Sequence, residues 1–313
     1  MAGPIVVGMD GTRESLAAAE WAADEAAVRR LPVLLLHSWT SQPLDPTVPQ
    51  AAASKQRYGQ EVLRRAEAEL RHHHPDLTVT TELVRDPAPK ALEALSGDAS
   101  LLVLGSRAHS ALAGFLLGST GLHVLGRASC PAVAVRPPRA GRKVAADTAA
   151  TTVPADAAST ALADAAGEDR DEVVVGLHDL SPNADPLLGF AFAFASLHGA
   201  RVRAVRARSP LALLPHSPDA ALFADAHERF GTQEHGRLDD VLAPWREKFP
   251  GLTAVGQIEI GGASEVLLSA ASRARLLVVG RRLHHPPMTW TLGPVAHAAL
   301  HHARCPVAVV PHA

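Results

Sequence analysis

The amino-acid sequence predicts an α/β protein made of two copies of a doubly wound, five-stranded parallel sheet. Two observations carry this prediction: similar sequence blocks occur twice along the chain, and short apolar runs alternate with helix-like stretches. The length of 313 residues, of which 47% are hydrophobic, is enough for two domains with buried cores. We therefore expect a soluble globular protein in which helices cover both faces of each sheet.

Three blocks recur in the same order in the two halves of the chain. The pairs are residues 5–10 (IVVGMD) with 173–178 (VVVGLH), 101–107 (LLVLGSR) with 276–282 (LLVVGRR), and 130–135 (CPAVAV) with 305–310 (CPVAVV). Because sequence and order are both repeated, the pattern indicates duplication of one domain. The spacing of the blocks also implies a net insertion in the second copy, which we expect after its second strand.

Strand and helix patterns alternate through the first copy. Apolar runs predict strands at residues 5–8, 33–36, 101–104 and 132–135, and an alternating run predicts a further strand at 78–84. Amphipathic or alanine-rich stretches predict helices at residues 15–30, 54–71, 89–96 and 119–127. Strands that alternate with helices in this way form a parallel sheet through right-handed crossovers.

The composition between the two copies predicts a flexible linker. Residues 139–170 are rich in Ala, Thr, Asp and Pro and lack a strand pattern or a sustained apolar stripe. The expected domains are therefore residues 1–138 and 171–313. A marginal helix over residues 157–166, which the alanine content would permit, stays open as an alternative.

Charge, hydropathy and cysteine usage exclude several classes of protein. The formal net charge is -2, with acidic and basic residues interspersed, so we expect no nucleic-acid partner. No apolar run is long enough to cross a membrane, and no signal-peptide pattern precedes the first strand, so the expected location is cytoplasmic. Cys130 and Cys305 each precede a proline, and we expect both to be buried at the start of a strand rather than bridged.

Two loops of the first copy are suited to an anionic ligand. Ligands of open parallel sheets bind beyond the carboxyl ends of the strands, where the strand order reverses. Glycine allows a close approach of backbone N–H groups to an anion, and the start of a helix offers further N–H donors. The candidate residues in these loops are Asp10, Gly105, Ala108, Gly118, Ser119 and Thr120. Phosphate oxygens are the natural ligand for this arrangement.

These residues carry a resemblance to the universal stress protein family in its tandem form. Its ATP-binding members have an Asp after the first strand and the spacing Gly, two residues, Gly, nine residues, Gly, then Ser or Thr; Asp10, Gly105, Gly118 and Ser119 match these positions. The resemblance implies the strand order 3-2-1-4-5 in each copy, phosphate contacts from the glycines and Ser119, and a position of Asp10 near the nucleoside. ATP is thus the implied ligand, and whether Mg²⁺ accompanies it stays open.

The sequence departs from the family pattern at one position of the first copy and at three of the second. Ala108 replaces the middle glycine, and alanine resists a positive φ if the loop needs one. In the second copy, His178 replaces the Asp, Leu283 the middle glycine and Pro294 the Ser. Proline has neither a hydroxyl nor an N–H donor, so we expect nucleotide binding only in the first copy.

Alternative interpretations of the same residues stay open. Asp10 is also suited to a turn, and Ser119 to capping the last helix. Arg107 could contact phosphates, although loop arginines are more often solvated, and it is left outside the predicted site. The histidine groups at residues 72–74, 284–285 and 301–302 suggest metal binding, but adjacent histidines rarely converge on one ion, so no metal site is predicted.

Two functions follow from the sequence. One is an ATP-binding, stress-response regulator read by an unknown protein partner; the other is an interaction module of the same fold that binds no nucleotide. No catalytic set is recognisable, so at most a slow ATPase activity is expected. Residues 132–135 and 307–310 are the final strands of their copies, and we expect them to pair antiparallel in an intramolecular pseudo-dimer. A homodimer of whole chains stays open.

Overall fold

A computed structural model describes residues 3–40, 52–108, 115–116, 118–137, 171–208, 220–283 and 292–313. The predicted linker at residues 139–170 and the histidines at 284–285 lie outside these residues. In the part of the chain that is described, no helix is both long and apolar enough to span a bilayer.

All nine elements predicted for the first copy are present, with ends shifted by a few residues. In chain order the elements are β1 (Ile5–Met9), α1 (Arg13–Arg29), β2 (Val33–Ser38), α2 (Ala52–His73), β3 (Val79–Val84), α3 (Ala88–Leu95), β4 (Leu101–Gly105), β5 (Arg107–Ala108), β6 (Phe115–Leu116), α4 (Ser119–Arg127) and β7 (Ala132–Val135). The short β5–β6 hairpin was not predicted, because the sequence indicated only a variable loop there.

The second copy repeats the same succession. Its elements are β8 (Glu172–Gly176), a 3₁₀ turn (Pro182–Ala184), α5 (Asp185–His198), β9 (Arg201–Arg208), α6 (Ala220–Lys248), β10 (Ala254–Ile260), α7 (Ala263–Ala270), a second 3₁₀ turn (Ala271–Arg273), β11 (Leu276–Arg282), α8 (Pro294–His302) and β12 (Val307–His312). Helix α6 has 29 residues against 22 in α2, so extra length lies in the segment where the insertion was expected.

The strands of both copies form one continuous sheet of ten strands. Its order is β10-β9-β8-β11-β12-β7-β4-β1-β2-β3, which gives each copy the predicted order 3-2-1-4-5 of its sheet strands. Within this ten-stranded sheet all strand pairs inside a copy are parallel, and the junction between β12 and β7 is antiparallel, with Ala308 opposite Val133. The predicted pseudo-dimer is therefore confirmed, and its two sheets are hydrogen-bonded into one.

Helices cover the sheet on both faces and bury one apolar core on each side. One core lies under α1, α2, α5 and α6, and the other under α3, α4, α7 and α8. Helix α1 lies close to the sheet because its inward face consists of small side chains, including the fully buried Ala18, Ala22 and Ala26. Thr12 starts this helix by accepting a hydrogen bond from the Ser15 N–H at 3.2 Å.

Side chains also join the two copies beside the strand junction. Trp21 of α1 stacks on Phe194 of α5, with ring centroids 6.3 Å apart and planes 8° from parallel. Next to this stack, the buried carboxylate of Glu25 contacts the His198 imidazole at 2.7 Å and the Arg29 guanidinium. Burial alone would raise the pKa of Glu25, but the bonds from His198 and Arg29 outweigh it and lower that pKa.

Candidate functional site

The carboxyl ends of β1 and β4 lie side by side, as the strand order requires. Gly8 of β1 is opposite Leu104 of β4, so the loops that follow these strands open at the same edge of the sheet. This edge brings Asp10, after β1, and Gly105, at the end of β4, into one region of the first copy. In the second copy, β8 and β11 are paired in the same way.

Asp10 forms a compact turn at the start of α1. Its Oδ1 accepts hydrogen bonds from the Thr12 N–H at 3.0 Å and the Thr12 hydroxyl at 2.5 Å. Gly11, between them, has a φ of +81°, where a side chain would be strained. Asp10 is exposed, so the turn that positions its carboxylate leaves that group accessible to a ligand. The turn and the binding interpretations are therefore compatible.

Gly105 has a packing role that the sequence did not predict. A Cβ at this position would lie 2.4 Å from the Glu14 carbonyl oxygen and 2.7 Å from the Ser15 nitrogen. Both atoms belong to the backbone of the first turn of α1, which cannot move aside easily. A glycine is thus required here for strand β4 to approach the start of α1, whether or not a phosphate binds nearby.

The start of α4 presents backbone donors to open space. Gly118 is its N-cap, with φ -57° and ψ 163°, and no side chain caps the helix. Among the residues that the structure describes, a Cβ on Gly118 would meet no atom within 4 Å. Ser119 is the first residue of the helix rather than its cap, and Thr120 follows it. The free N–H groups and the helix dipole make this end attractive to an anion.

Ala108 lies in the β5–β6 hairpin, opposite Phe115. Strand residues have negative φ, a conformation that alanine adopts without strain. The replacement of glycine by alanine at this position is therefore compatible with the backbone described there. Residues 109–114, the rest of the variable stretch, lie outside the described residues.

The second copy has a cavity of about 480 Å³ at the corresponding edge of the sheet. It lies beyond β8 and β11 and between the first residues of α7 and α8, where Ala263 and Pro294 line it. Helix α8 has the same N-cap as α4: Gly293 has φ -66° and ψ 161°, and a Cβ there would meet no atom of the described part of the chain within 4 Å. The next residue, Pro294, supplies no N–H donor to this end.

The acid of the second copy is displaced by one residue rather than lost. Asp179 Oδ1 accepts hydrogen bonds from the Ser181 hydroxyl at 2.6 Å and the Ser181 N–H at 3.3 Å, as Asp10 does from Thr12. Ser181 in turn caps the following 3₁₀ turn through the Asn183 N–H. The prediction that His178 replaces this acid was therefore wrong. It aligned the two copies on the residues of β1 and β8, whereas the turns that follow align Asp10 with Asp179.

The two cysteines and the candidate metal ligands remain to be placed in the structure. Cys130 and Cys305 are buried and unbridged, as expected, and burial raises the pKa of Cys130 to about 11. Cys130 is therefore a protonated, unreactive thiol at neutral pH. Among the residues described, no group of three or more His, Cys, Asp or Glu side chains could hold a metal ion.

Known proteins of the same architecture resemble the chain over almost its whole length. The model of the universal stress protein family matches residues 1–136 and 170–311. A universal stress protein of Mycobacterium tuberculosis H37Rv is 31% identical over 317 residues, which cover 97% of this chain and 96% of that protein. A relative from Mycolicibacterium smegmatis is 29% identical, covering 98% and 96%.

A solved universal stress protein from Archaeoglobus fulgidus shares the fold at 18% identity, with a TM-score of 0.61 and 98% coverage of both chains. Two matched domains, the duplicated sheet order and full-length relatives agree with one another. The chain therefore belongs to the universal stress protein family, in its tandem two-domain form.

Proposed function

We propose that the protein is a nucleotide-responsive stress protein whose N-terminal copy, residues 1–138, binds ATP. The observation that carries this proposal is the uncapped start of α4, where Gly118 leaves open space before exposed N–H donors. The ATP phosphates would bind there, with hydroxyl donors from Ser119 and Thr120. Mg²⁺ enters the proposal only as the ion that ATP carries on its phosphates.

Asp10 is proposed to recognise the nucleoside. A carboxylate at neutral pH only accepts hydrogen bonds, so it pairs with hydroxyl groups such as those of a ribose. The Asp10 turn fixes this carboxylate at the same sheet edge as the phosphate loop. Gly105 contributes through packing, because it lets β4 end against α1. Ala108 belongs to the proposed site through its hairpin, at the beginning of the phosphate loop.

The bound state would act on a protein partner rather than on a substrate. The proposal includes no catalytic residue, and any ATP hydrolysis is expected to be slow and incidental. A second candidate, an interaction module that binds no nucleotide, has one favourable observation: the copies share a continuous sheet, which makes a rigid scaffold.

A matched pair of variants tests the proposal. Gly118→Val and Gly293→Val place the same side chain at equivalent N-caps, and a Cβ at either position would meet no described atom within 4 Å. ATP should stabilise the folded wild-type chain by about 2.7 kcal/mol when its concentration is one hundred times the Kd. This stabilisation is measured as an increase in melting temperature. Gly118→Val should lose this increase because its side chain occupies the phosphate position, and Gly293→Val should keep it.

Two results would contradict the ATP site in the first copy. One is an increase that survives Gly118→Val, and the other is an increase that only Gly293→Val removes. If ATP leaves the melting temperature of the wild-type chain unchanged, the interaction module becomes the better account. Melting temperatures without ATP, measured for both variants, verify that each still folds.

A further inference from the structure

The cavity of the second copy has the size and walls of a small-molecule site. Its volume of about 480 Å³ is within the range of roughly 300 to 1,000 Å³ that is usual for such sites. Three buried leucines, Leu177, Leu187 and Leu267, line it together with the apolar Ala184, Val279 and Ala296. An apolar ligand body would therefore be well accommodated.

A buried arginine is among the residues that line the same cavity. Arg281 is only 5% exposed, and its Nη2 donates to the Ala128 carbonyl oxygen of the first copy. Its Nε has no hydrogen-bond partner among the residues described. Arginine stays charged at neutral pH, so this position combines a buried cation with an unused donor. An anion in the cavity would offset this buried positive charge.

The other ionisable groups that line the cavity leave it with an excess of positive charge. Arg282 adds a second guanidinium at the exposed end of β11. Asp179 supplies one carboxylate, whose pKa is lowered mainly by the Ser181 hydroxyl and which is already hydrogen-bonded to it. Burial lowers the pKa of His312, so its imidazole is uncharged at neutral pH. His178, also in the lining, lies at the surface.

A chain of phosphates is poorly matched to this cavity. Pro294 has removed a backbone donor from the start of α8, and no side chain caps that helix. The anion would instead be bound by guanidinium groups, whose planar N–H groups are well suited to a carboxylate. The apolar walls then favour a ligand in which one carboxylate is attached to an apolar body.

We infer that the C-terminal copy binds a small organic carboxylate with an apolar body, held by Arg281 and Arg282 in the cavity beyond β8 and β11. This site is separate from the proposed ATP site, and the chain would thus bind two ligands of different chemistry. The second copy is then a binding domain with a changed ligand rather than a scaffold alone.

Calorimetric titration of the full chain with naphthoate, and with its uncharged amide as a comparison, tests this inference. We expect one naphthoate per chain and an affinity at least about tenfold higher than for the amide, since the carboxylate alone makes charge-assisted hydrogen bonds. Arg281→Met should reduce naphthoate affinity by a similar factor and leave that of the amide unchanged.

A second pair of variants does not depend on the contact between Arg281 and Ala128. Ala263 is exposed at the cavity wall, and Ala88 occupies the equivalent first position of α3. Ala263→Trp should fill the cavity and abolish naphthoate binding, whereas Ala88→Trp should not. Equal binding of naphthoate and the amide, no binding of either, or equal effects of the two tryptophans would overturn the inference. Gly118→Val should leave naphthoate binding intact, so the ATP proposal fails or succeeds independently.

Discussion

The last helices of the two copies begin with the same backbone and different chemistry. Gly118 and Gly293 are N-caps with nearly equal dihedral angles, and both have open space beside them. Ser119 then provides an N–H and a hydroxyl where Pro294 provides neither. A duplicated fold can thus keep the backbone shape of a helix start while one substitution removes one N–H donor and one hydroxyl from it.

In the loops after β1 and β8, by contrast, the two copies form the same turn with residues at different positions. There the residues at equivalent strand positions differ, Asp10 against His178, yet the same turn is made in both copies. Asp179 forms it one residue later, with Ser181 in the role of Thr12. An acid with a hydroxyl residue two positions later is the signal that identifies both turns.

Proline substitutions compare the junction of the copies with the outer edge of the sheet. Leu102 N of β4 donates to Pro131 O, and Ser106 N donates to Val135 O, so these carbonyl groups face β4. Because successive residues of a strand direct their backbone groups to opposite sides, the N–H of Ala134 faces β12. In β3, the bonds from Val33 N to Thr78 O and from Trp39 N to Val84 O direct the Thr81 N–H away from the sheet.

Ala134→Pro should therefore cost about 3 kcal/mol or more of unfolding free energy, since it removes a ladder bond between the copies. Thr81→Pro removes no such bond and should cost roughly 1 kcal/mol or less. Urea unfolding of both variants measures the difference. Equal losses would mean that the junction contributes no more to stability than the free edge does.

A smaller contrast is expected between Gly105, which ends β4, and Gly280 of β11, two residues before the end of that strand. A Cβ at Gly105 meets helix backbone at 2.4 Å, whereas at Gly280 it meets the side chain of His312 at 2.7 Å, near the end of the chain. Gly105→Ala should cost about 2 to 3 kcal/mol, and Gly280→Ala about 1 kcal/mol, because the imidazole can move. Thermal or urea unfolding of both variants measures the two losses of stability. A larger loss for Gly280→Ala than for Gly105→Ala would contradict this prediction.

The buried carboxylate of Glu25, which contacts Arg29 in its own copy and His198 in the other, should add a modest dependence of stability on pH. The pKa of Glu25 in the folded protein lies below its ordinary value of 4.5. Its contribution to stability is therefore complete above that value and is lost as the pH falls below it, towards the lowered pKa. The stability difference between wild type and Glu25→Gln should shrink on acidification below about pH 4.5.

Glu61→Gln is the control for this effect, because Glu61 bonds to Arg64 on the exposed surface of α2, within one copy. Its substitution should change the acid profile far less, since surface ion pairs contribute little to stability. Stability curves at several pH values distinguish the two. Identical pH profiles for both variants would mean that the contact between Glu25 and His198 does not stabilise the junction of the two copies.

Much of the fold could be predicted from the sequence, because apolar and alternating runs identify the five sheet strands of the first copy and the repeated blocks identify β8, β11 and β12. The strand order followed from the family resemblance. The β5–β6 hairpin could not be predicted, since its strands have two residues each and no period to detect. The stack of Trp21 on Phe194 depends on how the copies dock, which local patterns do not encode. The spacing of the glycines along the sequence predicts the site residues, but it does not reveal that Gly105 packs against the backbone of α1.

The central claim is that one copy, the N-terminal one, binds ATP. Isothermal titration of the full wild-type chain with ATP tests it most directly, because the stoichiometry counts the sites without any substitution. The account predicts one ATP per chain, consistent with donors at Ser119 and their loss at Pro294. Two equivalent sites per chain, or no binding, would contradict it.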